Sequence, residues 1–548
     1  MKVLIVGGVA GGMSAATRLR RLKEDAEIII FEQGPHVSYA NCGLPYHIGE
    51  VIEAEESLLL QTPESLHARF NLDVRVNNRV TKIDRENKQV TVTNLKDNTE
   101  YQESYDQLVL STGAKPRIVP IPGLERALVL RDVQDAVKIK ALVDTKQIKS
   151  AAIIGAGFIG VELAENLRHR GIKTTIVEFR DHILPQFDPE MIEPMQKVLT
   201  ENGIELALSA ETEAVNESTL TLKDGRVIDA DLVVAAIGVV ADHKLAVDAG
   251  LEIGSAGGIV VDDQMRTSDE NIFAVGDAAQ KLSALTGQEQ MIWLANLANR
   301  HGRLVADVIA GETVAARPSI GTGIIGAFGI AAALTGLTES LAQRMNIAHK
   351  VIHLHPSSHA GYYPGAESVS LKILFDPESG KLLGAQGIGR DGIDKRIDVI
   401  ATAIYAGLKI DDLMNLELSY APAFGSAKDA VNQAGYVGNN IFTGKTESVQ
   451  FGDLTEKMSE GALLVDVRSE SEHVGGSIPG SVLIPIDTLR ENLDQLAGKE
   501  IIVHCGVGQR GHTAVQLLKG HGINAKNLDG GYTTWKQGMD ARDRAANS

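Results

Sequence analysis

Of 548 residues only two are cysteine, Cys42 and Cys505. They cannot build a disulfide framework, and such sparing use suits a reducing compartment. Positive charge is also in deficit: 53 Lys and Arg stand against 71 Asp and Glu, a formal net charge of −18. That balance excludes a general attraction to nucleic acid or anionic lipid, so an anionic ligand needs a local basic pocket. Long apolar runs are scarce. The most apolar stretch, GTGIIGAFGIAAALTGL at 321–337, is marginally short for a membrane span and rich in Gly, Ala and Thr, so a buried helix is expected. The opening MKVLIVGG reads as a strand pattern, and no signal peptide is expected. A soluble, cytoplasmic protein with no membrane or nucleic-acid partner is expected.

What is present is enough chain for roughly three or four domains. Two segments share one design, a β-branched strand running into glycines and a helix, then a second strand ending in an acid. The first is VLIVGGVAGGMSAATRLRRL, with Gly7 and Gly12 around Val9, closing at Glu32; the second is AAIIGAGFIGVELAENLRHR, with Gly155, Gly157 and Gly160, closing at Glu178. Such glycines permit a tight turn, the helix N-terminus faces a pyrophosphate, and the acid accepts hydrogen bonds from ribose hydroxyls. One such turn alone is often an ordinary strand-to-helix connection; two, each with its acid, indicate two dinucleotide sites. Glu178 favours NADH because its carboxylate repels the 2′-phosphate of NADPH, while Arg180 softens that preference and leaves NADPH possible.

Two later stretches assign the sites. LVLSTGAKPR, containing Gly113, and TSDENIFAVGDAAQ, containing Asp277, resemble the recurrent segments of the FAD-dependent pyridine nucleotide disulfide oxidoreductases. The resemblance implies that Asp277 binds the FAD ribityl chain, and that the FAD fold is interrupted by a fold for the nicotinamide cofactor. It also implies that the helix in WLANLANRHGRLVADVIAG, starting at Ala295, faces the flavin ring and stabilises negative charge there. Residues from about 320 to 440 resemble the dimerisation domain of these enzymes, so a homodimer is implied; NIFTGKTE at 439–446 reads as a linker.

The C-terminal segment carries LLVDVRSESEHVGGSIPGSVLIP, IIVHCGVGQRGHTA and LDGGYTTW. These resemble the rhodanese family. Four residues separate Cys505 from Arg510; backbone N–H groups of so short a loop surround one sulfur and stabilise a thiolate or persulfide anion. Related phosphatases need five intervening residues, so sulfur transfer by Cys505 with Arg510 is expected. The plainer alternative for Cys505 is a small buried hydrophobe. His504 is assigned no role.

Cys42 lies in SYANCGLPY. Disulfide reductases of the glutathione reductase type place two cysteines four residues apart and a His-Glu pair near the C-terminus; neither is here, so Cys42 must work alone. A lone thiolate can attack a disulfide or persulfide, release one thiol and retain the other half. Nearby helix ends and a stacked flavin are expected to lower its pKa. SYANCGLPYHIGE is similar to the active-site segment of the coenzyme A disulfide reductases and their rhodanese-fused relatives, the coenzyme A persulfide or polysulfide reductases. Related NADH oxidases and peroxidases carry a histidine in the first glycine-rich turn, absent from GGVAGG here.

Within that branch, HAGYYPGA and ELSYAPAFGSAKDAVN resemble tyrosine segments reaching the partner subunit's flavin site. Tyr362 and Tyr420 are then implied to donate to the departing thiolate. Tyr363 stays open in place of Tyr362, interface packing is the alternative for both, and Pro422, Ala423 and Gly425 depart from the usual pattern. For coenzyme A the resemblance implies Arg18 and Arg21 on the phosphates, Ser38 and Asn41 beside the pantetheine, and Asn299 and Arg303 in the channel. The alternative is a solvated basic face, to which Arg20 and Lys23 are assigned.

The fold class is therefore α/β: two interleaved Rossmann-like domains, an α+β dimerisation domain and a C-terminal α/β rhodanese domain. Expected boundaries are 1–112 and 241–320 for FAD, 113–240 for NAD(P), 321–440 for dimerisation, 441–450 for the linker and 451–548 for rhodanese. The function expected is NADH-dependent, FAD-containing reduction of coenzyme A persulfide or polysulfide, without a metal. Coenzyme A disulfide reduction is the first alternative; a sulfane-sulfur carrier or redox sensor is the second.

Overall fold

The structure is a computed structural model describing residues 1–547. The chain forms two compact units, residues 1–177 with 211–319, and residues 178–210 with the chain from Ile320 onward.

In the first unit, strand Lys2–Val6 is central in a five-stranded parallel sheet ordered Ile272–Ala274, Gln107–Leu110, Lys2–Val6, Glu27–Glu32, Asp73–Val76. Both faces are covered, as parallel strands require. Val3, Ile5 and Ile30 pack with Leu19 and Val305 of helices Ala10–Leu22 and Ala295–Ile309. Leu4, Phe31 and Leu108 pack on the opposite face with Val80 and Val92 of a three-stranded antiparallel sheet. The two helices touch at glycine: a Cβ on Gly302 would meet Gly11 O at 2.1 Å. The second nucleotide fold repeats the plan. Strand Ser150–Ile154 pairs in parallel with Lys173–Val177 and Leu232–Ala235 and leads to helix Phe158–His169.

The second unit contains an antiparallel five-stranded sheet ordered Thr322–Ala327, Ile330–Gly336, Leu382–Gly389, Ser370–Phe375, Lys350–Leu354. Helices Ile393–Tyr405 and Pro189–Glu201 pack against it. The apolar stretch expected as a buried helix is instead the first hairpin of this sheet. Phe328 and Gly329 join its strands with φ of 48° and 77°. A two-residue loop with both residues at positive φ matches the strands' twist, and a short apolar run does not by itself distinguish helix from strand.

The C-terminal part is a parallel sheet ordered Ser448–Val449, Ala525–Leu528, Ile501–His504, Leu463–Asp466, Val482–Leu483, flanked by helices Gln509–Gly520 and Gly531–Asn547. The last helix leans on Pro189–Glu201, where Arg544 donates to Glu193 at 2.7 Å. The α/β class expected from the sequence is the class observed. No helix among the described residues is long and apolar enough to cross a membrane.

Candidate active site

The first glycine turn is as tight as its residues permit. Gly7 has φ 102°, and a Cβ there would strike Ser111 O at 2.1 Å, while one on Gly12 would strike Gly7 O at 1.9 Å. Glu32 ends the next strand and accepts from the N–H groups of Gly8 (2.9 Å) and Gly34 (2.8 Å). Burial raises the pKa of Glu32, against the opposing effect of those amides. Gly113 has φ 72°, with Arg131 Nη2 2.9 Å from where a Cβ would stand. Asp277 lies half-buried, its pKa pushed up by burial despite Lys281 and Arg131. Lys281, which the sequence reading missed, is buried; it donates to Gly276 O and Ala279 O, and burial lowers its pKa to about 8. Helix Ala295–Ile309 has Leu294 at its N-cap, which offers no side-chain acceptor; the Leu297 N–H donates to Asn296 Oδ1 at 2.7 Å, so the first two amides, of Ala295 and Asn296, are left for another partner. His301 Nδ1 is buried without a hydrogen-bond partner among the described residues. A glycine cradle, two acids and an open helix end fit the FAD expected there.

In the second fingerprint the three glycines differ in what constrains them. Cβ atoms on Gly155 and Gly160 would strike Ala236 O at 2.4 Å and Gly155 O at 2.1 Å, whereas Gly157 faces nothing within 4 Å. Gly157 therefore keeps space for a ligand, which fits a dinucleotide. Glu178 is buried and its carboxylate accepts from the Arg180 N–H at 2.9 Å.

Cys42 is an exposed, free thiol in the 3₁₀ turn Asn41–Gly43, directly before helix Leu44–Ile48. Its surroundings raise its pKa, first by desolvation and then through the carboxylates of Glu162 and Asp277. The protein's own groups thus push the thiol up, where nearby helix ends together with a stacked flavin were expected to lower it. Two neighbours were not legible in the sequence: Tyr46 Oη donates to Glu162 Oε1 at 3.4 Å, and burial lifts the Glu162 pKa to about 7. Glu162 belongs to the second glycine fingerprint, and no local pattern connects it to a cysteine 120 positions earlier.

The hydroxyls of Tyr362 and Tyr420 meet at 2.9 Å, both exposed. Tyr363 instead packs edge-on against His359, ring centroids 5.7 Å apart. On the packed helix pair, Arg18 bridges to Asp307 at 2.7 Å, Arg21 lies over the Phe70 ring at 5.2 Å, and Ser14 donates to Asn299 Oδ1 at 2.5 Å. Arg303 is exposed on the same pair. Ser38, in a left-handed conformation with φ 49°, donates its N–H to Gly8 O at 2.8 Å, so the segment leading to Asn41 and Cys42 is tied to the first glycine turn. Arg20 departs from the solvated role assigned to it. It is buried and donates to the carbonyls of Phe70, Lys23, Glu24 and Asn71, tying together the turns after two helices.

Cys505 directly follows strand Ile501–His504, is buried, and opens the loop into helix Gln509–Gly520. Gly508 turns the chain there with φ 90°. Arg510 donates to Glu472 at 2.7 and 2.5 Å, a bidentate pair beside the loop that the sequence reading did not anticipate. His504 is fully buried; its Nε2 is 3.7 Å from Asp466 Oδ2, and burial lowers its pKa to about 4, leaving it neutral.

Residues 1–302 match the pyridine nucleotide-disulphide oxidoreductases, residues 326–431 the dimerisation domain of that family, and residues 451–538 the rhodanese-like domain. The chain belongs to the pyridine nucleotide-disulphide oxidoreductase family. Members use FAD and NAD(P)H, and this one carries a rhodanese-like domain in addition. It is 33% identical over 436 residues to coenzyme A disulfide reductase of Staphylococcus aureus strain JH9, covering 79% of this chain and 99% of that protein. The crystal structure of reduced Bacillus anthracis CoADR-RHD is 45% identical, with a TM-score of 0.97 over 99% of this chain and 98% of that one. An NAD-dependent persulfide reductase from A. fulgidus is 34% identical, with a TM-score of 0.91 over 98% of this chain and 100% of that one. This oxidoreductase is thus a disulfide or persulfide reductase.

Proposed function

We propose that the protein reduces coenzyme A persulfide with NADH, releasing hydrogen sulfide and free coenzyme A. The observation that carries this reading is that its only two cysteines lie in two sulfur-handling sites, Cys42 exposed in the flavoprotein part and Cys505 buried at a rhodanese loop. The full-length similarity to an NAD-dependent persulfide reductase supports it. FAD is held by Gly7, Gly12, Glu32, Gly113, Asp277 and the helix beginning at Ala295, and when bound supplies the two-electron relay from NADH.

The Cys42 thiolate attacks the outer sulfur of the persulfide; the S–S bond breaks, coenzyme A leaves as a thiolate, and Cys42 carries a persulfide. Two electrons and a proton then return the Cys42 thiolate and release hydrogen sulfide. The sum is RSSH + NADH + H⁺ → RSH + H₂S + NAD⁺. The Tyr362–Tyr420 hydroxyl pair, delivered by the partner subunit of a homodimer, supplies a proton to the departing thiolate. Arg18, Arg21, Asn299 and Arg303 receive the nucleotide end, with Ser38 and Asn41 beside the pantetheine. Cys505 and Arg510 accept or deliver sulfane sulfur.

Anaerobic NADH oxidation over coenzyme A persulfide, coenzyme A disulfide, polysulfide and thiosulfate, with sulfide quantified, tests the reading. Cys42→Ser is expected to abolish sulfide release; full release in that variant would remove Cys42 from the mechanism. The similarity to coenzyme A disulfide reductase favours a second reading, disulfide reduction. A much higher kcat/KM for the disulfide than for the persulfide would establish it instead.

A further inference from the structure

The second unit buries a set of charges that the proposed chemistry does not use. Lys372, fully buried, places its ammonium 2.8 Å from Asp188 and 2.6 Å from Glu339, and also against Glu190. Burial disfavours the charge, but the surrounding carboxylates outweigh it and raise the pKa, so the ammonium persists. Glu190 is shared: its Oε1 is 3.4 Å from His353 Nε2. On the other side of the ring, Nδ1 meets Asp529 Oδ2 at 2.7 Å, and the His353 backbone N–H donates to that same oxygen at 2.9 Å. Burial pulls the His353 pKa down, yet the bonds to Asp529 and Glu190 prevail and lift it to about 9. The imidazolium donates from both nitrogens, one to each carboxylate. His355, which burial keeps neutral, bridges Ser370 Oγ at 2.8 Å and Thr534 Oγ1 of the C-terminal helix at 2.7 Å.

Asp529 opens the turn that backs the Cys505 loop. Gly530 and Gly531 follow with φ of 63° and 62°, and a Cβ on Gly531 would strike Cys505 O at 2.5 Å. Next, the Tyr532 N–H donates to Cys505 O at 2.8 Å and the Thr533 N–H to Gly506 O at 2.9 Å. Asn527, just before, donates to Gly508 O at 3.1 Å. With these carbonyls held by the turn, the loop's N–H groups stay available to a sulfur anion.

We infer that His353, on strand Lys350–Leu354 outside the rhodanese-like domain, is a positioning residue for sulfur transfer at Cys505: it fixes the Asp529–Thr533 turn and, through that turn, the loop. The inference rests on the reading of Cys505 as a sulfur carrier. His353 touches neither sulfur nor substrate, and no local motif announces it, since the bond to Asp529 spans 176 positions.

The test uses the full-length holoprotein in a Cys42→Ser background, which leaves Cys505 as the sole thiol. Alkylation of Cys505 by iodoacetamide is followed against pH, alongside sulfur transfer from inorganic polysulfide to cyanide. His353→Gln is expected to move the Cys505 thiolate titration to higher pH and to lower the kcat of transfer about tenfold with KM little changed. Flavin reduction by NADH should stay unchanged. A His353→Gln protein that folds with an unaltered Cys505 titration would overturn the inference and leave His353 with a packing role only. Asp529→Ala removes the acceptor that both His353 N–H groups use, and carries the same test with the same overturning outcome should His353→Gln fail to fold. If the parent transfers no sulfur at all, the carrier reading fails, and the Cys505 titration alone decides the positioning role.

Discussion

At Cys42 the surroundings disfavour the thiolate, desolvation first and then two carboxylates. The nucleophile is the thiolate, and desolvation together with the charges of Glu162 and Asp277 disfavours that form. Glu162 itself is lifted to about 7 by burial, so it changes charge near neutral pH. As Glu162 ionises, it makes the neighbouring thiol harder to ionise. Glu162→Gln should therefore lower the Cys42 pKa and raise thiolate content at neutral pH. The check is the pH dependence of Cys42 alkylation in a Cys505→Ser background with FAD bound; an unmoved titration would remove Glu162 as the controlling group. That Cys42 is the proposed nucleophile follows from SYANCGLPY, where a lone cysteine stands in a segment similar to those of single-cysteine reductases. Its electrostatic control was not legible there, because Glu162 comes from a different nucleotide fold and reaches Cys42 only through packing of helix Leu44–Ile48 on helix Phe158–His169.

Among the helices, the pair Ala10–Leu22 and Ala295–Ile309 joins the first glycine turn to the segment returning from the second fold. Their approach depends on Gly11 and Gly302, where a Cβ on Gly302 would come within 2.1 Å of Gly11 O. Gly302→Ala must push the helices apart, and overpacking of this kind costs about 1–3 kcal/mol. The expected result is protein that folds but retains less FAD than the parent, measured as the ratio of flavin to protein absorbance; full FAD occupancy would show that the helix contact does not shape the site. The helices themselves were legible because apolar residues recur with helical spacing after each glycine turn. The hairpin at 322–336 was not. Its Gly and Ala content hid the alternation of inward and outward positions, and its deciding feature, two consecutive residues at positive φ, is conformational. Arg20 was misplaced for a related reason: its partners are carbonyls, which every sequence supplies and none advertises.

At the scale of the whole chain, the motifs behind both proposed sulfur sites are short contiguous loops, around Cys42 and Cys505, and so stand out in the sequence. The charge network between the antiparallel sheet and the C-terminal domain has no such signature. Lys372 and Glu190 are 182 positions apart, and each alone reads as a surface residue. Its effect on stability follows from the two shifted groups. An unfolded histidine titrates near 6.5, whereas His353 holds its proton to about 9. Its contribution is therefore fully present below about 6.5 and is lost as pH rises through about 9. Glu190 is displaced the other way, from 4.5 to about 2: burial opposes its charge, but Lys372 and His353 prevail. Its contribution is present above about 4.5 and is lost as pH falls through about 2. Replacing His353 by Gln should accordingly destabilise the second unit more at pH 6 than at pH 9.5, by roughly 2–3 kcal/mol. Trp535 packs against the C-terminal core, so its fluorescence in a Trp293→Phe background reports unfolding of that part of the chain. The quantity to compare is the gap between parent and variant denaturation midpoints at the two pH values. A gap that narrows toward pH 9.5 is expected; one that stays constant would show that the imidazolium of His353 is not the stabilising species.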